Sequence, residues 1–458
     1  MRSPGSRPTL ARIVRLWATI TLLAPALLVT TSVGSVRADA AVFGTPTATP
    51  TYGTGIVFSV PFTPPAAQTV RVELRLQFPQ ALGPTIFDVA VPAGARQLSH
   101  ALDLSGGATI VPNTRIVATW VWVPAGGDPV SSLPAAVLYA DTTHAWRTLT
   151  GSLVRVHWYF GDDAFARHAL DIGEKAVTDA SALLGVTETD PIDFFIYGDQ
   201  AGFVEALGPS TTETQVGEAR ADIRTLFGLI TPDSLADPVV EATVPHELVH
   251  LVFDTAVHNP YRRPPTWLNE GLAVYLSEGY SADRRSLVER AVRDKTLVPL
   301  NALVGRFPAD ADKGFLAYCE GASAIDYLVR TDGRDALVGL VKAYAGGLTD
   351  DEAFTKALGR NVGAFQAGWL KELGAADPAE YGPVAAPTGP VPPGWGTSSG
   401  PAASPAPGAS GSPGGSPSTG PSSTGAGADK AAILLAIGAV VAVVVGGLVV
   451  ARRRGAGA

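Results

Sequence analysis

The chain is 458 residues long, with 34 Lys and Arg against 42 Asp and Glu, a formal net charge of −8 and 1 cysteine. A single cysteine excludes an intramolecular disulfide framework, so stability must come from core burial, and the length allows two domains large enough for one each. The mildly acidic balance, without a basic run in mid-chain, argues against nucleic acid as a partner.

Residues 1–40 read as a targeting segment outside the fold. Arg2, Arg7, Arg12 and Arg15 form a basic n-region and Leu16 to Val29 an apolar h-region, and Val36-Arg37-Ala38 or Ala38-Asp39-Ala40 suits a signal peptidase. An uncleaved N-terminal anchor is the rival reading, against which the shortness of the apolar run counts. The chain beyond is expected to be exported.

Residues 41–150 read as an all-β, sandwich-like accessory domain. Short β-rich runs recur at Gly55–Phe62, Thr69–Phe78, Ile86–Val91, Arg115–Val123 and Ala136–Tyr139, separated by Pro, Gly and Asp. In the second run Val70, Val72, Leu74 and Leu76 alternate with Arg71, Glu73, Arg75 and Gln77, which predicts one buried and one wet face. No catalytic constellation is visible here. A spacer or accessory role is expected in preference to a carbohydrate- or peptide-binding module.

Residues 151–375 read as a second domain. A strand near Leu153–Tyr159 leads into a helix over Asp162–Leu184, capped by Asp162 or Asp163, and Ile192–Tyr197 is the next strand. His157 and His168 stand far from any metal-type spacing and are read as structural or surface residues. Gly217–Ile230 is expected to supply a strand that edges a cleft.

Asp237-Pro238 opens the following helix, with Asp as its cap and Pro in the first turn. Inside it, His246-Glu247-Leu248-Val249-His250 is H-E-x-x-H. Residues four apart on a helix share a face about 6 Å apart, so both imidazoles can reach one metal ion. Glu247 projects from nearly the same face, where it can hold a water on that metal. Pro245 removes a backbone hydrogen bond, so the helix either bends there or starts afresh with Thr243 or Val244 as its cap. Both alternatives leave the imidazoles one turn apart. Leu248, Val249, Leu251, Val252 and Phe253 bury the remaining faces.

Two histidines leave a catalytic zinc one protein ligand short, and Trp267-Leu268-Asn269-Glu270-Gly271 offers the carboxylate of Glu270. Thr266 is placed to cap the helix that carries it. Gly271 removes a side chain where two helices must approach closely, and Asn269 is a candidate for orienting a ligand or backbone group. His258 does not match the spacing of H-E-x-x-H-x-x-G-x-x-H and is discounted as a third ligand.

From Asp283 onward the chain reads as helical. Lys313–Arg330 is stopped by Gly333, and Ala336–Ala345, Asp350–Leu358 and Val362–Leu373 come after it. Cys319 reads as a small buried hydrophobe rather than a nucleophile. Residues 376–428 are Pro, Gly, Ser, Ala and Thr with hardly any charge, the composition of an extended, disordered stalk. Ala431 to Ala451 is continuously apolar and, as a helix, about 30 Å long, the thickness of a bilayer core. Arg452-Arg453-Arg454 would hold the tail inside, so residues 429–458 read as a transmembrane helix with a basic cytoplasmic tail. A removable C-terminal sorting signal would need an L-P-x-T-G-like motif before the apolar run, and none is present. The expected product is a single-pass cell-membrane protein, partnered with the lipid bilayer through Ala431 to Ala451, its ectodomain extracellular.

H-E-L-V-H followed by W-L-N-E-G-L-A-V-Y resembles the gluzincin metallopeptidases, the clan of thermolysin and the aminopeptidase N-like enzymes, and within it the bacterial peptidase MA-like group. The resemblance spans residues 150 to 375 and is strongest across 240 to 280. It implies Zn2+ held by His246, His250 and Glu270, Glu247 as general base, and a site between an upper and a lower lobe, the strand–helix–strand order fitting the upper sheet. It implies that the Gly217–Ile230 edge pairs with an extended substrate backbone, and that Tyr318, from the helical C-terminal lobe, steadies the oxyanion. In one respect the chain departs. Aminopeptidase N-like enzymes carry a G-x-M-E-N loop that grips the free α-amino group, and here Val216-Gly217-Glu218-Ala219-Arg220 stands instead. Glu218 is the side chain there that could hold an amine, but an endopeptidase is favoured over an aminopeptidase.

The fold class expected is therefore α+β multidomain: a β-sandwich-like domain, a thermolysin-like α/β peptidase domain with a helical C-terminal lobe, a stalk and one transmembrane helix. The function expected is hydrolysis of a peptide or protein substrate. Zinc lowers the pKa of its bound water and polarises the scissile carbonyl, while Glu247 takes the water's proton and delivers it to the leaving amine. The competing reading is a surface binding or adhesion module with a structural or inactive zinc site. Glu247 argues against it, because a structural zinc has no use for a general base.

Overall fold

The computed structural model describes residues 42–376, apart from 106–109, 209–210, 212–214, 232–233, 235–237 and 260. The expected targeting segment, the expected stalk from residue 377 on, the apolar run Ala431 to Ala451 and the expected cap Asp237 lie outside the described residues. Among the described residues no helix is long and apolar enough to cross a membrane.

The N-terminal part is a pair of antiparallel sheets. One has the order β1-β2-β5, from β1 (Thr47–Thr51), β2 (Gly55–Pro61) and β5 (Gln97–Asp103). The other joins β4 (Thr85–Val89), β3 (Thr69–Gln77), β6 (Thr114–Pro124) and β7 (Val130–Ser131), with β8 (Ala135–Tyr139) also paired to β6. Phe58 and Val60 from the first sheet meet Val72, Leu74, Leu76 and Trp120 from the second in one buried core. The alternation in β3 needs two corrections. Val70 is 58% exposed, at the end of the strand where the register to β6 shifts between Thr69 and Arg71. Glu73, expected on the wet face, is buried, because Arg71 and Arg75 each donate to one of its carboxylate oxygens. That pairing holds its carboxyl below the usual range.

The third sheet has the order β12-β13-β11-β10-β9, from β9 (Arg147–Thr150), β10 (Val154–Trp158), β11 (Ile192–Tyr197), β12 (Gly217–Arg220) and β13 (Thr225–Leu229). β10, β11 and β13 run parallel, and β9 and β12 are antiparallel edges. α1 (Asp163–Leu184) makes the crossover from β10 to β11. Asp162 caps it by accepting from the Phe165 N–H, and its buried residues recur at three- and four-residue steps. α2 (Gln200–Leu207) comes directly after β11. α1 packs on α3 (Pro238–Val257), with Gly173 facing Leu248. α3 runs unbroken through Pro245, so the alternative of a fresh start at Thr243 or Val244 does not occur.

α4 (Thr266–Ser277) crosses α6 (Ala311–Thr331) at Gly271 and Gly321. A Cβ on Gly271 would stand 2.4 Å from the Gly321 carbonyl carbon, so here backbone meets backbone, the close approach the sequence predicts for Gly271. The cap of α4 is Pro265 and not Thr266, whose hydroxyl turns instead to the Val304 carbonyl at 3.2 Å. α5 (Ala282–Asp294), α7 (Arg334–Ala345), α8 (Asp350–Leu358) and α9 (Val362–Leu373) complete the helical region. The architecture is mixed α/β, with an N-terminal β-sheet domain and a helical C-terminal region.

Asn113 ties the β-sheet domain to the sheet of β9–β13. Its backbone is left-handed, φ 66°, and its amide donates to Asp193 Oδ2 at 3.0 Å and Thr225 Oγ1 at 2.9 Å. His157 belongs to the same cluster, with Nε2 2.8 Å from Asp193 Oδ1 and its ring stacked on Phe195. His157 is therefore structural and His168 exposed, as expected of both.

Candidate metal centre and active cleft

α3 brings His246, Glu247 and His250 to one buried face, and α4 lays Glu270 across from them. His246 Nε2 and His250 Nε2 are 3.2 Å apart, and Glu270 Oε2 lies 3.5 and 3.4 Å from them respectively. Zinc–nitrogen bonds of about 2.1 Å on a tetrahedron put ligand atoms about 3.4 Å apart, so these three edges fit a zinc ion without rearrangement. Two further observations support the fit. Glu270 Oε2 is buried with no hydrogen-bond partner, a costly state that a cation relieves. His250 Nδ1 is 3.0 Å from Asn269 Oδ1, an acceptor, so the proton sits on Nδ1 and the Nε2 lone pair faces the cluster. Asn269 thus stands where an orienting residue is expected.

The electrostatics agree. Burial alone would lower the pKa of His250, but the Glu270 carboxylate outweighs it and raises the imidazole to about 9. Burial would raise Glu270, yet the two imidazoles hold it at about 2. Glu247 is raised above the usual carboxylate range by burial, which the two imidazoles only partly offset.

Strand β12 reaches this cluster edge-on. The Ala219 N–H points away from β13 and donates to Glu247 Oε2 at 3.0 Å. A Cβ on Gly217 would stand 3.0 Å from Glu247 Cγ, so a larger residue would crowd the Glu247 side chain where the strand lies against it. The edge strand is legible in the sequence, but the close approach at Gly217 is not, although a glycine inside a strand is its signal. Both carboxylate oxygens of Glu218 are engaged, by Gln215 Nε2 at 2.9 Å and Arg220 Nη1 at 3.3 Å.

Tyr318 comes from α6 and is buried beside the histidines, its ring 6.2 Å from that of His246 and edge-on to Phe307 at 5.0 Å. His258 does not join the cluster. It is exposed, 3.9 Å from Asp254. Cys319 is buried and its thiol is pushed up to about 11 by burial, an inert state.

The cluster opens into a cavity of about 970 Å³, lined by His250, Asn269, Glu270 and Tyr318, by β12, and by residues 78–82 of the β-sheet domain. Gln80, with φ 54°, extends its amide from the turn after β3 to the Ala221 carbonyl at 3.0 Å. The β-sheet domain therefore supplies one wall of the cleft, which a spacer role omits. The sequence holds no signal for this contact, made across 141 residues.

Residues 173–375 match the family model of the Peptidase MA superfamily, a stretch just under half of the chain, and the match supports a gluzincin-type zinc peptidase there. No curated protein matches the chain. Solved structures that it resembles include an M1 zinc metallopeptidase from Deinococcus radiodurans, at 13% identity and a TM-score of 0.36, covering 75% of this chain and 94% of that one. An aminopeptidase N family protein from Idiomarina loihiensis aligns at 10% identity and a TM-score of 0.37, covering 72% and 75%. Likenesses this distant carry no weight for activity. Nothing in the comparisons supports the expected preference for endopeptidase action.

Proposed function

We propose that residues 151–375 form a zinc-dependent peptidase domain in which His246, His250 and Glu270 hold the metal. The observation that carries this reading is the convergence of those three donors within 4.8 Å of one another, with Glu247 buried beside them. Bound zinc would supply a Lewis acid that acidifies water and polarises a carbonyl. Glu247, raised in pKa by burial, takes a proton from the attacking water and returns it to the leaving amine. Asn269 keeps the His250 lone pair aimed inward. Tyr318 donates to the oxygen on which charge develops, and β12 receives the substrate backbone as an added strand.

The test is metal content and turnover together. Wild-type protein is expected to hold one zinc per chain and to cleave peptide bonds in a chelator-sensitive way. Glu247→Gln should keep zinc and lose activity by about a thousandfold. A fully active Glu247→Gln would remove Glu247 as the base. Assaying casein beside an aminoacyl anilide separates internal cleavage from aminopeptidase action.

We further propose, from Leu16 to Val29, Ala431 to Ala451 and Arg452-Arg453-Arg454, that the domain is displayed outside a cell membrane on a single span. Protease shaving of intact cells should release it; full protection in intact cells would overturn that placement.

A further inference from the structure

This inference rests on the peptidase reading and concerns the chemistry of its substrate. The chain is acidic overall, yet three exposed arginines, Arg262, Arg263 and Arg306, line the cavity that holds His250, Glu270 and Tyr318. Among the described residues none of the three has a carboxylate within 4.0 Å, whereas Arg220, Arg224, Arg284 and Arg360 each have one. Besides Glu270, the carboxylates that line the cavity each have another polar neighbour. Asp222 faces Arg220 at 3.4 Å, Asp350 accepts from the Tyr344 hydroxyl at 3.1 Å, and Asp254 lies 3.9 Å from His258. Arg263 feels Asp254, and Arg262 feels Glu352, only at longer range.

The arginines are mounted on stiff supports. Pro264 and Pro265 restrict the backbone directly after Arg263. Thr266 N–H donates to the Val304 carbonyl at 3.1 Å and Trp267 N–H to that of Leu303 at 3.0 Å, which staples the Arg262–Arg263 loop to the loop of Arg306. Phe307, next to Arg306, packs on the Tyr318 ring that neighbours His246. A guanidinium is a planar fork of donors that fits a carboxylate, and cations confined to a cleft draw in anions. We infer that Arg263 and Arg306, with Arg262, hold a carboxylate of the peptide substrate close to the scissile bond. That carboxylate belongs to an acidic side chain or to a free C-terminus.

The test uses the full-length, zinc-loaded chain carrying Glu247→Gln, so that binding is read without turnover. The probes are four fluorescein-labelled octapeptides, alike except for a central Glu or Gln and a free or amidated C-terminus, followed by anisotropy. The preferred carboxylate should bind about tenfold more tightly than its neutral counterpart at low salt. That advantage should fall below about twofold in 0.5 M NaCl, and equally after Arg263→Gln or Arg306→Gln. Dependence on Glu identifies a side-chain carboxylate, and dependence on the free terminus a C-terminal one. Equal binding of all four, binding of none, or discrimination that survives both substitutions overturns the inference. Cleavage of the neutral, amidated peptide by wild-type protein is scored separately. Cleavage without discrimination leaves the peptidase standing and removes the carboxylate site, and discrimination without cleavage does the reverse.

Discussion

Glu270, buried, and Asp193, partly buried, are both carboxylates held at a pKa of about 2 beside imidazoles, and they make different kinds of site. Asp193 is saturated. Arg155 donates to both of its oxygens, at 2.8 and 2.9 Å, His157 lies 2.8 Å from Oδ1 and Asn113 donates to Oδ2 at 3.0 Å. Glu270 keeps a buried oxygen without a hydrogen bond, aimed at two ring nitrogens beside an open cleft. A third acid, Glu320, completes the series: it is fully buried, among the described residues no cation pairs with it, it takes one N–H from Val298, and burial drives its pKa well above the usual carboxylate range. A filled set of donors marks a structural joint, and an ionised carboxylate with an unfilled oxygen marks a place for a cation.

Substitutions can break that comparison at either end. The largest effect is expected from Glu270→Gln, which should reduce bound zinc to under about a tenth of wild type and abolish hydrolysis while the fold persists. Retention of a full zinc complement in that variant, by elemental analysis, removes Glu270 from the ligand set. Asn269→Ala is the intermediate case. It should weaken zinc affinity about 10- to 100-fold in a competition titration with a chromophoric chelator, and unchanged affinity would reduce the Asn269 contact to packing. The smallest effect belongs to the saturated partner. Asp193→Asn should leave zinc and activity intact and cost about 2 kcal/mol at neutral pH, the equivalent of a pKa lowered from 3.8 to about 2. Because the folded pKa is the lower one, this stabilisation is present above the unfolded value and disappears as pH falls from 3.8 through about 2. Denaturant unfolding across that window should show the two proteins converging, and a constant gap would mean that Asp193 acts through packing.

How much of this molecule is legible in its sequence depends on the range of the interactions. The cluster of His246, His250 and Glu270 is legible because the histidines sit one helical turn apart and Glu270 lies in the next helix, so local periodicity carries most of the geometry. Most strands with buried alternation are legible for the same reason, although β5, which buries Leu98 and Leu102, is not among the expected runs. β1 is not, because nearly all of it is exposed and its sequence is polar, and Glu73 is misread because alternation records side-chain direction but not the two arginines that bury the carboxylate. Thr266 is an apt cap by residue type, yet the Leu303 and Val304 carbonyls claim the start of α4 from outside. The wall formed by Gln80 is a contact between distant segments, for which single-chain patterning holds no information.

The crossing of Gly271 and Gly321 has a mechanical consequence. Side chains between helices ordinarily act as a compliant layer, letting one helix shift while the other stays still. Here that layer is missing, because the two backbones bear directly on each other. Glu270 adjoins one side of this bearing and Tyr318 sits one helical turn from the other. A displacement of α6 that moved Tyr318 would therefore press on α4 at the residue next to Glu270.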